Sequence, residues 1–144
     1  DNIIVEGANG GLHTNYRGKG QAAVKALTED GYDFVYVHIE APDEMGHQGS
    51  AEDKIRAIEY IDDQVIGPVT EGLEKSGTDF RMLVMPDHPT PVRVRTHTSD
   101  PVPYMIYDST DPVQGKESYC EKTGRETGLY IEEGYTLIDH LLEK

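Results

Sequence analysis

Two aspartates and three histidines, all of them common ligands of divalent cations, stand in three short segments of this 144-residue chain. Asp43 and His47 lie four apart in Ala41-Pro42-Asp43-Glu44-Met45-Gly46-His47, so one helical turn puts carboxylate and imidazole on one face. Asp87 and His88 are adjacent between Pro86 and Pro89, where irregular backbone lets neighbouring side chains diverge toward separate ions. His97 occupies a third segment, Thr96-His97-Thr98. Carboxylate oxygen and imidazole nitrogen without thiolate suit manganese, magnesium or zinc. Taken singly, each element recurs by chance, and a lone loop histidine more often makes an ordinary hydrogen bond. The functional reading rests on all three falling together.

What would bring them together is a sheet. Asp33–Ile39 (DFVYVHI) precedes the first segment, Phe80–Met85 (FRMLVM) precedes the second, and Tyr104–Tyr107 (YMIY) follows the third. These runs are β-branched and aromatic between turn residues and read as strands, as does Ile3–Val5 before the turn Gly7-Ala8-Asn9-Gly10-Gly11. Between them the pattern is helical. Alanines and leucine recur at helical spacing from Gln21 to Leu27. A longer helix from about Ala51 to Lys75 carries the stripe Ile55, Ile58, Ile61, Val65, Val69 and Leu73, with Pro68 as an expected kink. Tyr135–Leu142 closes the chain as an amphipathic helix. Alternation of this kind predicts an α/β fold with a mainly parallel sheet and helices on its faces. The expected sheet core is Val35, Val37, Leu83, Met85, Met105 and Ile106, covered by Ile58, Ile61 and Val65. Ligands of such sheets bind beyond the carboxyl ends of the strands, where the aspartates and histidines fall. The stretch from Asp108 to Gly128 is polar and turn-rich and reads as a surface excursion of one domain spanning 1–144.

Other polar residues have weaker claims. Arg93 and Arg95 precede His97, and one of them can clamp a substrate carboxylate or phosphate, although solvated loop arginines are the commoner case. His38 lies inside a strand, where a hydrogen-bonded supporting role outweighs ligation. The glycine-rich turn reads first as a tight turn and second as a phosphate approach. His13 and Lys19 have no assignable role, and His140 and Cys120 read as structural or surface residues. A net charge of −14 argues against nucleic acid and anionic membranes as partners, and a phosphorylated substrate then needs local positive charge, which metal ions supply compactly. The apolar runs are too short to span a bilayer. A single cysteine fits a reducing cytoplasm. The opening Asp1-Asn2-Ile3-Ile4-Val5 reads as a strand already under way, so the expectation is a piece of a longer protein.

The ordered set DFVYVHIEAPDEMGHQGS, a helix with Lys54 and Asp62, MPDHPTP and RTHTSDPVPYMIY resembles the metal-binding half of the alkaline phosphatase superfamily. GANGGLHTNYRGKG upstream is similar to a segment of the archaeal-type, cofactor-independent phosphoglycerate mutases, some of whose bacterial relatives are homoserine kinase-like. The resemblance implies an isomerase of glycolysis that interconverts 3-phosphoglycerate and 2-phosphoglycerate through a phosphoserine, with two divalent metals, manganese first and magnesium or zinc next. It further implies that Asp43, His47 and His97 hold one ion and that Asp87 and His88 contribute to the other. The family's early aspartate and its nucleophilic serine have no match here, so the chain is expected to be inactive alone and to partner with the missing N-terminal part. Another phosphotransferase or phosphatase on the same scaffold, and a catalytically silent metal-binding fragment, are the competing readings.

Overall fold

A computed structural model describes residues 1–143, which divide into two compact units: 1–78 with 90–98, and 79–89 with 99–143.

The first unit is helical. Helix α1 (Tyr16–Thr28) begins at Asn15, whose side chain accepts the Gly18 amide at 2.9 Å while its own amide group donates to the Glu6 carbonyl at 2.8 Å. It buries Tyr16, Gly20, Ala23 and Ala26, one face at three- and four-residue steps. Helix α2 (Ala41–Gln48) ends at Gly49, in left-handed backbone at φ 76°, with the Ser50 amide bonded back to the Met45 carbonyl. Ser50 then starts α3 (Ala51–Ile61), its hydroxyl accepting the Asp53 amide and donating to the Asp53 carboxylate. The cap-to-cap junction ties α2 rigidly to α3.

Helix α3 runs through a π turn (Asp62–Ile66) into α4 (Gly67–Ser76). The expected kink at Pro68 takes this form. Proline has no N–H to give to the preceding turn, and the widened turn accommodates its ring without ending the helix. The core of the unit is Tyr16, Ala23, Ala26, Ala41, Met45, Ala57, Val65, Val69 and Leu73, with the Tyr16 and Tyr60 rings 5.6 Å apart.

The sheet differs from the expected one. Its two strands, β1 (Arg81–Val84) and β2 (Met105–Asp108), belong to the second unit and are antiparallel, with Arg81 opposite Asp108 and Leu83 opposite Ile106. No helix crosses from one to the other to carry the chain back in the same sense, so an antiparallel return results. Residues 3–5 and 33–39 form no ladder among the described residues. Val35, Val37 and Ile39 are half-buried while Phe34, Tyr36 and His38 are exposed, which is strand-like alternation without a paired neighbour. The expected sheet core is therefore not the observed core: Met85, Met105 and Ile58 are exposed, and helix packing does the burying instead.

In the second unit, Arg81 Nε donates to Asp108 Oδ2 at 2.6 Å and the Phe80 amide to Ser109 Oγ at 2.9 Å, which fix the register. The Tyr119 hydroxyl donates to the Pro103 carbonyl at 2.9 Å, and burial pushes its pKa up to about 12. Residues 110–119 are exposed before α5 (Glu121–Glu126), and a 3-10 turn (Gly134–Thr136) leads into α6 (Leu137–Leu142), where Leu137 is buried. Among the described residues no helix is long and apolar enough to cross a membrane.

Candidate metal centre

Within the first unit, one face of α2 and the segment from Thr90 to Thr98 make a cluster of donors. Asp43 and His47 are one helical turn apart on α2, as their spacing requires, and His97 reaches them from the segment. His47 Nε2 lies 3.1 Å from His97 Nε2 and 3.4 Å from Asp43 Oδ2, and His97 Nε2 lies 3.2 Å from Asp43 Oδ1. Among the described residues, this is the group of three whose donor atoms all fall within 4.8 Å of one another. Asp43 and His47 are half-buried and His97 is exposed, so the cluster opens to solvent on one side.

The orientation of each group has a local cause. His47 Nδ1 stands 3.0 Å from the Arg95 carbonyl oxygen. A carbonyl only accepts, so Nδ1 carries the proton and Nε2 turns its lone pair toward Asp43 and His97. Arg95 presents that carbonyl from left-handed backbone at φ 58°, the one non-glycine residue with positive φ among those described, at the end of a turn closed by the Pro91 carbonyl. Its guanidinium lies against Gly49, where a Cβ would come within 2.3 Å of Nε. There it faces the C-terminal end of α2, the negative end of the helix dipole. Arg95 thus supports the cluster from behind, and both it and Arg93 on the same turn are exposed.

Asp87 and His88 belong to the second unit, just after β1. His88 Nε2 is 3.5 Å from Asp87 Oδ2, and the Asp87 carboxylate accepts the His88 amide at 3.0 Å. His38 is exposed, not buried in a sheet: its Nδ1 lies 3.2 Å from the Tyr36 hydroxyl and its carbonyl accepts Lys19 Nζ at 2.6 Å. Two residues not singled out for the site, Thr90 and Lys54, support it. Thr90, flanked by Pro89 and Pro91, is 3% exposed and donates its hydroxyl to Asp43 Oδ1. Lys54 Nζ donates to the Thr90 carbonyl at 2.7 Å. A threonine between two prolines signals fixed backbone, but nothing local points it at Asp43.

The Metalloenzyme superfamily matches residues 1–140. The chain belongs to that superfamily. Among curated relatives, the chain is 46% identical over its full length to a probable 2,3-bisphosphoglycerate-independent phosphoglycerate mutase of Geobacter sulfurreducens, covering 36% of that protein. It is 49% identical over 97% of its length to the 2,3-bisphosphoglycerate-independent phosphoglycerate mutase of Methanothrix thermoacetophila, covering 35% of it. A solved structure, the PH0037 protein of Pyrococcus horikoshii, matches 99% of the chain at 29% identity with a TM-score of 0.85, over 42% of that protein. The chain thus spans about a third of the length of the curated relatives it matches.

The donors of this cluster fit a divalent cation. Ligands about 2.1 Å from an ion stand about 3.4 Å apart in a tetrahedral shell and about 3.0 Å apart at neighbouring octahedral positions. The 3.1 Å between the two Nε2 atoms falls in that range, and the carboxylate meets the two imidazoles through different oxygens, Oδ2 at 3.4 Å from His47 and Oδ1 at 3.2 Å from His97, with one donor atom from each residue within 4.8 Å of the others. With the proton of His47 on Nδ1, a lone pair of Nε2 and the anionic carboxylate face each other. A proton on His97 Nε2 bridges only part of that arrangement, whereas a cation satisfies all three donors together.

Proposed function

We propose that the chain is the C-terminal metal-binding part of a 2,3-bisphosphoglycerate-independent phosphoglycerate mutase, which interconverts 3-phosphoglycerate and 2-phosphoglycerate in the cytoplasm through a phosphoserine. The observation that carries this reading is the convergence of Asp43, His47 and His97 in a chain so similar to such mutases. In it, these three residues hold one divalent ion, and Asp87 and His88 contribute to a second; manganese comes first, with magnesium and zinc as alternatives. When bound, the ions supply positive charge that offsets the negative phosphoryl oxygens and the poor leaving alkoxide, which are the two obstacles to phosphoryl transfer.

The residues of this chain have binding and orienting roles. The Arg95 carbonyl keeps the proton of His47 on Nδ1, so its other nitrogen stays available as a donor. Arg93 and Arg95 share an exposed turn beside the cluster, and with the Arg95 guanidinium against Gly49, Arg93 is the better candidate to grip the carboxylate of the small phosphorylated substrate. The nucleophilic serine and the early aspartate come from the remaining two thirds of the parent protein, with which this part assembles. The test is an assay of the parent protein on both phosphoglycerates, and on homoserine with ATP. Interconversion of the phosphoglycerates that His47→Ala abolishes is the expected result. Turnover of homoserine alone would assign the scaffold to a different phosphotransferase.

A further inference from the structure

The best-buried polar group touching the cluster is not one of its three donors. Thr90 is 3% exposed, its hydroxyl donates to Asp43 Oδ1, and its carbonyl accepts Lys54 Nζ from α3 at 2.7 Å. Directly beneath lies Gly46 of α2, where a Cβ would come within 2.4 Å of the Thr90 carbonyl oxygen and 2.9 Å of its methyl. The threonine is therefore held on three sides: by α2, by the lysine of α3, and by the prolines that fix its own backbone.

A carboxylate on a helix can rotate about its Cβ–Cγ bond through a broad range at little cost. At Asp43 that freedom matters, because Oδ2 must face His47 at 3.4 Å while Oδ1 faces His97 at 3.2 Å. His47 Nε2 turns a lone pair toward the carboxylate, and His97, the other imidazole beside it, is exposed. The Thr90 hydroxyl fixes the carboxylate, as a neutral donor anchored to the fold. We propose that Thr90 is the positioning residue of this centre, setting the rotation of Asp43 so that the donors are pre-arranged before a cation binds. The proposal rests on the metal reading of Asp43, His47 and His97. It adds that the fourth residue of the site is a buried threonine secured by Lys54.

The test compares wild type, Thr90→Val and Thr90→Ser, each stripped with a chelator. Valine keeps the shape and removes the hydroxyl, and serine keeps the hydroxyl. Cobalt(II) is the probe, because its visible absorption reports the shape of the ligand shell as well as the affinity. Thr90→Val should bind cobalt(II) about 10- to 100-fold more weakly and with an altered spectrum, while Thr90→Ser stays within about threefold of wild type with the same spectrum. Equal affinity and spectrum in Thr90→Val would overturn the proposal. Crystal structures of the metal-free forms decide the matter independently. In Thr90→Val, Asp43 should rotate away from the imidazoles, and an unmoved carboxylate would also overturn the proposal. Failure of the wild type to bind cobalt(II) would instead remove the metal reading, leaving the crystal comparison to judge Thr90.

Discussion

At the scale of single residues, the site is a problem in aiming lone pairs. His97→Ala removes a donor outright, so its loss of cobalt(II) affinity should exceed the 10- to 100-fold, roughly, that follows loss of a supporting group; calorimetric titration measures it. Arg95 tests a subtler point. Its contribution to His47 is a carbonyl held in left-handed backbone. Glycine adopts that backbone freely and a β-branched residue resists it by about 1–2 kcal/mol. Arg95→Gly should therefore keep most of the affinity while Arg95→Val loses much of it, in the same titration. The types and order of Asp43, His47 and His97 were legible in the sequence because donor chemistry belongs to a residue itself. The parts played by Thr90 and by the Arg95 carbonyl were not. One is a generic hydroxyl, and the other is a backbone atom whose direction depends on a dihedral angle that no residue type at that position announces.

At the scale of elements, α2 must sit close enough to the Thr90–Thr98 segment for donors from both to meet, and Gly46 makes that approach possible. Gly46→Ala drives a methyl into the backbone of Thr90, which a flexible side chain cannot relieve. It should lower stability by about 1–3 kcal/mol in urea unfolding and weaken cation binding as well. In the second unit, the Asp108 carboxyl is held down to about 2, first by the Thr110 hydroxyl and then by the Arg81 guanidinium. A lowered carboxyl value stabilises the fold above the ordinary value of 3.8, and that contribution is lost as pH falls through about 2. The urea midpoint of the wild type should drop across this window, while Asp108→Asn lacks the contribution at every pH and shows a flatter profile. Helices were the legible elements, because periodicity is local: α3 and α4 lie along the stripe expected from Ala51 to Lys75, while α1 begins at Tyr16, ahead of the expected Gln21. Strand direction was not legible. The alternation in 33–39 marks extended chain, but pairing is settled by distant segments, and β1 and β2 met antiparallel where alternation with helices had implied parallel neighbours.

At the scale of the whole molecule, the chain corresponds to about a third of the mutases it resembles. The proposed division of labour puts donors here and the nucleophile elsewhere. The isolated chain should then bind a divalent cation weakly, through three protein donors open to water, and turn over neither phosphoglycerate. In the parent protein, His47→Ala and His97→Ala should abolish turnover, whereas Arg125→Ala, on exposed α5, should leave it near the wild-type rate. Appreciable turnover by the purified chain would place the nucleophile within it, with Ser50 and Ser99 the first serines to replace.

The central claim is that Asp43, His47 and His97 together hold one ion, and anomalous diffraction from crystals soaked in manganese or zinc tests it most directly. The account predicts a peak about 2.0–2.2 Å from Nε2 of both histidines and from a carboxylate oxygen of Asp43. A peak coordinated without His97, or well-ordered donors with no peak between them at saturating metal, would contradict it.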